Sequence, residues 1–208
     1  MKLELINGDC MNVMKDYPDN YFDLAVVDPP YGIGMSGGNV GYDGNNHLDR
    51  KEWDNSIPKD EYFDELRRIS TNQVIWGGNY FPSIWPTRGY IVWDKGAGFK
   101  GRTFAESGLA FTSFNRNAKT ISYDPLARGD YKGKIRPTQK PVKLYDWIYH
   151  NYAEEGQKIL DTHLGSGSNA IAAHYAKMGE FVGIELDEDY FKAAQERIQE
   201  QTRQQELF

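Results

Sequence analysis

The sequence predicts an α/β protein with a mostly parallel sheet, and three observations carry that expectation. Asp23–Asp28 (DLAVVD) is a continuous apolar run, β-branched in part, that stops at two prolines. Such a run suits a strand covered on both faces. Lys158–Asp161 and Phe181–Glu185 read as strands flanking a helical stretch, Asn169–Met178, which together make one βαβ unit. A glycine-rich turn, Thr162–Ser168, joins the first of these strands to the helix. Consecutive βαβ connections place their strands side by side and parallel.

The remaining elements follow in chain order. Lys2–Ile6 reads as a short strand ending at Asn7-Gly8-Asp9-Cys10. Gly32–Asn46 is rich in Gly and Asn and has no periodicity, the composition of a functional or mobile loop. Pro58–Ile69 has a proline at the expected first turn and apolar residues at Tyr62, Phe63, Leu66 and Ile69, so it predicts an amphipathic helix. Gln73–Trp76, Tyr90–Trp93 and Leu109–Phe114 read as strands, whereas Ser113–Pro137 mixes basic, polar and aromatic residues with little regular pattern. Pro141–Tyr152 begins a helix behind a proline. Gly179 closes the helix of the βαβ unit, and Asp187 caps a long final helix through about Gln201.

A chain of 208 residues supports one hydrophobic core with room for a small attached lobe. No apolar run approaches the ~20 residues that span a bilayer, and Glu4 interrupts the stretch where a signal peptide would be apolar. Cys10 is the single cysteine, so no intrachain disulfide forms. These features lead us to expect a cytoplasmic protein. The net charge of −6 looks unsuited to a nucleic-acid binder, but it is unevenly spread. Asp94–Lys143 holds eleven Lys or Arg against four Asp or Glu, a local charge of +7 that leaves −13 for the rest. A basic segment on an acidic body suits a protein that holds a polyanion on one face; taken alone, a solvated surface loop explains it as well. The four histidines, His47, His150, His163 and His174, are scattered, and no metal-ligand cluster is visible.

In Asp161-Thr162-His163-Leu164-Gly165-Ser166-Gly167-Ser168 a turn leaves a strand and opens a helix. Glycines there let the backbone approach a ligand. Glu185 ends the next strand, 24 residues after Asp161, where an acid can accept both hydrogen bonds of a ribose diol. Gly165-Ser166-Gly167-Ser168-Asn169-Ala170 also fits a dinucleotide fingerprint, so NAD competes as ligand. An NAD site, however, sets a pyrophosphate at the helix N-terminus, and Asp161 would oppose that charge. S-adenosylmethionine has no phosphate and carries an ammonium and a sulfonium, so it suits the acid better. A purely structural βα turn explains the glycines but not the placement of Glu185.

Asp28-Pro29-Pro30-Tyr31 stands at the C-terminal end of the buried run, where open α/β sheets place their sites. The prolines stiffen the chain and remove competing N–H groups. A carboxylate and a carbonyl can accept from an aromatic amino group in its plane, freeing the nitrogen lone pair, while Tyr31 offers a stacking face. Asp-Pro-Pro alone is common in surface turns; its place at the end of a core strand raises it above that.

DPPY followed by DTHLGSGS, in that order, resembles the amino-methyltransferases of DNA, with the motif order of their circularly permuted β group. Asn7-Gly8-Asp9-Cys10 looks like the motif contacting the cofactor adenine, Lys51-Glu52-Trp53-Asp54 like the segment closing the catalytic loop, and Ile135-Arg136-Pro137-Thr138-Gln139-Lys140-Pro141 like the TQKP motif bordering the cofactor methionine. The match spans nearly the whole chain. His163 departs from it, standing where the family often has Pro or Phe.

The resemblance implies a Rossmann-like S-adenosylmethionine-dependent methyltransferase fold in one domain, 1–208, with a small basic target-recognition insertion at about 115–134. It implies Asp28, Pro29, Pro30 and Tyr31 as catalytic residues. It implies a cofactor site of Asp9, Cys10, Thr138, Lys140, Asp161, Leu164, Gly165, Ser166, Gly167, Ser168, Glu185 and Leu186, with no metal. In this family DPPY usually accompanies N6-adenine chemistry, so the expected reaction is site-specific transfer of a methyl group from S-adenosylmethionine to N6 of a flipped-out adenine in double-stranded DNA. N4-cytosine methylation by the same machinery, a non-catalytic DNA-binding subunit and an NAD-dependent oxidoreductase are the competing readings. Lys95, Lys100, Arg102, Arg116, Lys119, Arg128, Lys132 and Lys134 are the expected DNA contacts, and Gly32–Asn46 is a candidate lid.

Members of this group often dimerise, and they occur in bacteria and phages, some beside restriction enzymes. The permuted order also requires the first and last strands to be neighbours. Gln204-Gln205-Glu206-Leu207-Phe208 is similar to the QxxLF peptides that dock on bacterial sliding clamps, although a frayed helix end is the preferred reading.

Overall fold

The computed structural model describes residues 1–34, 54–84, 86–136 and 138–203. Most of the candidate lid (35–46), residues 51–53, Pro137 and the clamp-like end, 204–208, lie outside the described residues.

Eight strands form one sheet. They are β1 (Lys2–Asn7), β2 (Phe22–Val27), β3 (Ser70–Trp76), β4 (Tyr90–Asp94), β5 (Ser107–Thr112), β6 (Lys119–Ser122), β7 (Lys158–Asp161) and β8 (Glu180–Glu185). Their spatial order is β1-β8-β7-β2-β3-β5-β4-β6. Only β5 runs against the rest, pairing antiparallel with both β3 and β4. β1 pairs with β8 from Lys2↔Glu180 to Asn7↔Glu185, the adjacency that the permuted order requires.

The helices are α1 (Cys10–Met14), α2 (Asp60–Ile69), α3 (Pro125–Arg128), α4 (Val142–Tyr152), α5 (Ser168–Tyr175) and α6 (Glu188–Arg203). Successive β2 side chains point to opposite faces, and both faces are covered. Leu24 and Val26 join a core with Leu144, Ile148 and Tyr149 of α4, Ala170–Ala173 of α5 and Ile198 of α6. Ala25 and Val27 join another with Met14 of α1 and Tyr62, Phe63, Leu66 and Ile69 of α2. That double burial is the physical reason β2 reads as a continuous apolar run. Among the described residues no helix is long and apolar enough to cross a membrane.

Some boundaries differ from expectation. Pro58 precedes α2, whose N-cap is Lys59. Within the stretch expected to lack regular structure, β6 pairs parallel with β4 and α3 follows it. Asp124 caps α3 by accepting from the amides of Leu126 and Ala127, and Gly129 ends it in the left-handed region. α1 also lay outside the sequence expectation; Asp9 caps it through the amides of Met11 and Asn12.

Candidate active site

All strands except β5 end on one edge of the sheet, and that edge gathers the residues singled out by sequence. Asp28 follows β2, which lies between β7 and β3. Strand order reverses around this point, the place where open α/β sheets form a crevice. Asp161 ends β7, Glu185 ends β8 and Asn7 ends β1.

Both oxygens of Asp28 are engaged by the protein. The Tyr31 hydroxyl donates to Oδ1 at 2.5 Å, and the Lys140 ammonium is ion-paired with Oδ2. Lys140 also donates to the Tyr31 hydroxyl at 3.2 Å and lies over the rings of Tyr31 and Trp76. The Tyr31 ring stacks on Tyr80, with centroids 4.9 Å apart and planes 13° from parallel. Asp54, 2% exposed, fixes the loop: its Oδ1 accepts from the amides of Tyr31 and Gly32 at 2.7 and 2.9 Å. Pro29 is buried and Pro30 half-buried beside them. Burial raises the Tyr31 phenol well above its ordinary range, and the neighbouring Asp28 charge adds to this, so it stays a donor.

The glycine-rich turn is held from three sides. Leu164 donates its amide to Ile184 O, and Gly165 donates to Glu185 Oε2 at 2.8 Å. Arg197 of α6 donates to Ser166 O and Ser168 Oγ. Gly165 and Gly167 have φ of +56° and +73°, angles that glycine adopts without strain. The close approach at Gly167 is to the protein itself, because an added Cβ would stand 2.8 Å from Ile198. At Gly165 an added Cβ would stand 2.5 Å from Arg136 Nη1.

Asp161 differs from the sequence expectation of an acid offered to a ligand. It is 2% exposed and accepts from Asn169 Nδ2 at 2.8 Å and the His163 amide at 3.0 Å. Burial pushes its carboxyl up to about 7. Asn169 also donates to Val26 O and accepts from the Tyr149 hydroxyl, so it ties β2, β7 and α4 together below the site. His163, pulled down to about 4 by burial, is neutral and lies 2.9 Å from Thr162 Oγ1.

Glu185 is 7% exposed. Its Oε1 accepts from the Asp187 amide at 3.0 Å, and Arg136 Nη1 lies 3.7 Å from Oε2. Asn7 Nδ2 donates to the carbonyls of Glu185 and Leu186, which brings Asn7–Cys10 beside β8. Leu186 is 68% exposed there, an apolar face open for contact. Asp9 spends its carboxylate on the α1 cap, and burial pushes the Cys10 thiol up to about 12.

Thr138 and Lys140 line two adjoining spaces, and Asp28 lines both as well. One is a cavity of about 760 Å3 walled by Trp76, Tyr80, Trp93, Phe99 and Tyr131; the other is a crevice of about 20 Å3 against His163–Ser166 and Ser168. Of the expected DNA contacts, Lys95, Arg102 and Lys134 line the large cavity. Lys100, Arg128 and Lys132 are exposed on segments that follow β4 and β6 on the same edge. Arg116 and Lys119 are elsewhere. They sit before and at the start of β6, at the opposite sheet edge, and donate to Asn151 O and Asn151 Oδ1.

Sequence reasoning gave no role of their own to Arg136, Asn169 and Tyr80. Their partners come from other strands and helices, and only Asp54 carried a local signal, as the end of the KEWD stretch. Among the described residues no group of His, Cys, Asp and Glu is arranged to hold a metal ion.

A doubly covered parallel sheet, a glycine turn with an acid on the next strand, and an acid-led Pro-Pro loop at the switch point define a class. The family model for N6/N4-type DNA methylases matches residues 75–196, and the chain belongs to that family. It is 27% identical to the putative methylase YubD of Escherichia coli (strain K12), across 93% of this chain and 88% of that one. It is 25% identical to the type II methyltransferase M.HpaI of Haemophilus parainfluenzae, across 95% and 74%. Its fold is similar to that of M1.HpyAVI in complex with SAM (TM-score 0.62, 17% identity, 94% and 99% covered). It is also similar to the cytosine-N4-specific PvuII DNA methyltransferase (TM-score 0.61, 14% identity, 98% and 92% covered).

Proposed function

We propose that this DNA methylase transfers a methyl group from S-adenosylmethionine to N6 of an adenine flipped out of double-stranded DNA. The observation that carries the reading is the position of Asp28, which lines both the large aromatic cavity and the crevice against the glycine turn. A group that must touch a base on one side and a cofactor on the other belongs in that place.

The residues present fit the cofactor. Each Glu185 oxygen accepts one backbone amide, and a carboxylate oxygen has room for a second donor. Glu185 would therefore hold the ribose hydroxyls, exposed Leu186 and the Asn7–Cys10 turn would flank the adenine, and Thr138 and Lys140 would border the methionine end. When bound, S-adenosylmethionine supplies an electrophilic methyl group on a sulfonium. Asp161 and Asn169 keep the turn in place from below.

The large cavity is within the size range of small-molecule sites, roughly 300–1,000 Å3. Its aromatic walls suit a flat base removed from the stack. Asp28 would accept from the amino group in place of Tyr31 and Lys140, and the Pro29 carbonyl would accept its second hydrogen. Holding that nitrogen in one orientation supports transfer chiefly by positioning. Lys95, Lys100, Arg102, Arg128, Lys132 and Lys134, on the same edge, would meet DNA phosphates, largely without reading sequence. The acid that leads Asp28-Pro29-Pro30-Tyr31 favours adenine through the family pattern.

Nucleoside analysis of DNA from cells expressing the protein tests the reading. N6-methyladenine is the expected product. N4-methylcytosine would overturn the choice of base, and an absence of either methylated nucleoside from cells that accumulate the folded protein would overturn the reaction.

A further inference from the structure

His163 stands in the glycine-rich stretch without a role in the proposed reaction, and its hydrogen bonds run in one direction. Tyr62 Oη lies 2.6 Å from Thr162 Oγ1, which lies 2.9 Å from His163 Nδ1. Tyr62 and Thr162 are 4% and 2% exposed, and neither hydroxyl has a further partner among the described residues. Burial raises the Tyr62 phenol well above its ordinary range, so it keeps its proton. That proton goes to Thr162, and the Thr162 proton goes to His163 Nδ1. Any other arrangement strands a hydroxyl proton in the core, where an unmade hydrogen bond is costly. Nδ1 is thus the bare nitrogen, and Nε2 carries the hydrogen.

The Tyr62 ring meets the imidazole edge to face, with centroids 5.6 Å apart. Burial, with the Arg136 charge adding to it, pulls the ring down to about 4, so it stays a neutral donor at neutral pH. Nε2 has no partner among the described residues and is not sealed from solvent. His163 lines the crevice shared by Asp28, Thr138, Lys140 and Arg136, where the methionine end of the cofactor is placed above. That end bears an ammonium, a sulfonium and a carboxylate. The two cations have nothing to accept a hydrogen bond with, so the carboxylate is the acceptor, and the cations of Lys140 and Arg136 on the same crevice suit its charge. We propose that His163 is a cofactor-binding residue whose Nε2–H donates to the methionine carboxylate of S-adenosylmethionine, which makes the site selective for ligands that carry that group. The inference rests on the cofactor reading given above.

Calorimetry with two ligands tests it without turnover: S-adenosylhomocysteine, and S-adenosyl-3-thiopropylamine, the same molecule lacking the carboxylate. His163→Phe keeps a ring and has no donor. Its preference for S-adenosylhomocysteine over the amine should be smaller than the wild-type preference by about 10- to 100-fold, the worth of a hydrogen bond to a charged group. His163→Gln keeps an N–H donor and should restore part of that preference. The tautomer is read in wild type from the imidazole resonances of isotope-labelled histidine, assigned by replacing His47, His150 and His174 in turn. The hydrogen is expected on Nε2, and its resonance should move on addition of S-adenosylhomocysteine and much less on addition of the amine. An unchanged preference in His163→Phe, or a hydrogen on Nδ1, overturns the proposal. Glu185→Gln separates the two levels. If S-adenosylhomocysteine binds that variant as it binds wild type, the cofactor reading fails and the role of His163 falls with it. If that variant binds more weakly and His163→Phe still keeps the full preference, only the role of His163 fails.

Discussion

Lys140 is ion-paired with Asp28, and neither side chain is more than about a fifth exposed. With Tyr31 on the other oxygen, the carboxylate has two protein donors that stand where a substrate amino group would donate. Asp28→Asn replaces one acceptor oxygen by a donor facing Lys140. Loss of a positioned electrostatic partner of this kind typically costs about 100- to 1,000-fold in rate. Transfer of tritiated methyl groups to DNA should fall by at least that much. S-adenosylhomocysteine binding, measured separately, should stay within a few-fold of wild type. Near-normal transfer by this variant would remove Asp28 from the mechanism.

Gly77 sets the position of Tyr31. Its φ is +75°, and an added Cβ would stand 2.2 Å from Tyr31 Cε1. Gly77→Ala must displace the ring and strain the backbone, at a stability cost of about 1–3 kcal/mol. Displacement by about 1 Å at a reacting centre can cost on the order of 100-fold. Activity should therefore fall far more than the folded fraction at 25 °C. Thermal melts and single-turnover rates on one preparation check this, and parallel losses would mean that Tyr31 need not be held there.

How much of this was legible in the sequence depends on whether the determinant is local. β2 announces itself because every residue from Leu24 to Val27 is buried. The turn before α5 announces itself through two glycines with positive φ. β6 was not legible: of its four residues only Ile121 is buried, so an edge strand leaves no alternation to read. α3 had usable signals, Asp124-Pro125 at its start and Gly129 at its end, within only four residues. The Arg136–Glu185 and Lys140–Asp28 pairs were beyond local reading, since sheet topology alone brings those segments together. For the same reason Asp161 read as a free acid, when in the fold Asn169 takes it.

Asn169→Ala removes donors to Val26 O and Asp161 Oδ2 and leaves the Tyr149 hydroxyl without its acceptor. Stranding buried polar groups in this way costs about 2–4 kcal/mol, or a fall in Tm of roughly 5–15 °C for a chain of this size. The loss should depend on pH. Burial raises Asp161 to about 7 in the folded protein, above its unfolded value of 3.8. The folded state therefore binds the extra proton between those values, and the associated stability is lost as pH rises through about 7. Asn169 opposes the rise by hydrogen bonding the ionised form. The variant should thus be hurt more at pH 8 than at pH 5, and equal losses at both would contradict the assignment.

Lys95 supplies the remaining pH signature. Its Nζ lies 5.3 Å over Trp93 and 5.4 Å over Phe99, and it donates to Ala105 O at 2.9 Å on the wall of the large cavity. Burial pulls the ammonium down to about 8, the Lys140 charge adds to that, and Asp28 opposes it. In free protein the charge is therefore present below pH 8 and lost above it. A phosphate contact favours the charged form, so DNA binding should take up a proton above pH 8 and weaken as pH rises toward 9. The salt slope should flatten by about 0.9 only at the higher pH where the bound lysine also loses its proton and that phosphate contact goes. Lys95→Arg keeps its charge throughout and should remove this pH dependence. Lys95→Met should bind more weakly at pH 7 and show the same flat profile. Calorimetry of duplex binding at pH 8.5, in buffers of different ionisation enthalpy, counts the protons directly; uptake in wild type that persists in Lys95→Met would place the titrating group elsewhere.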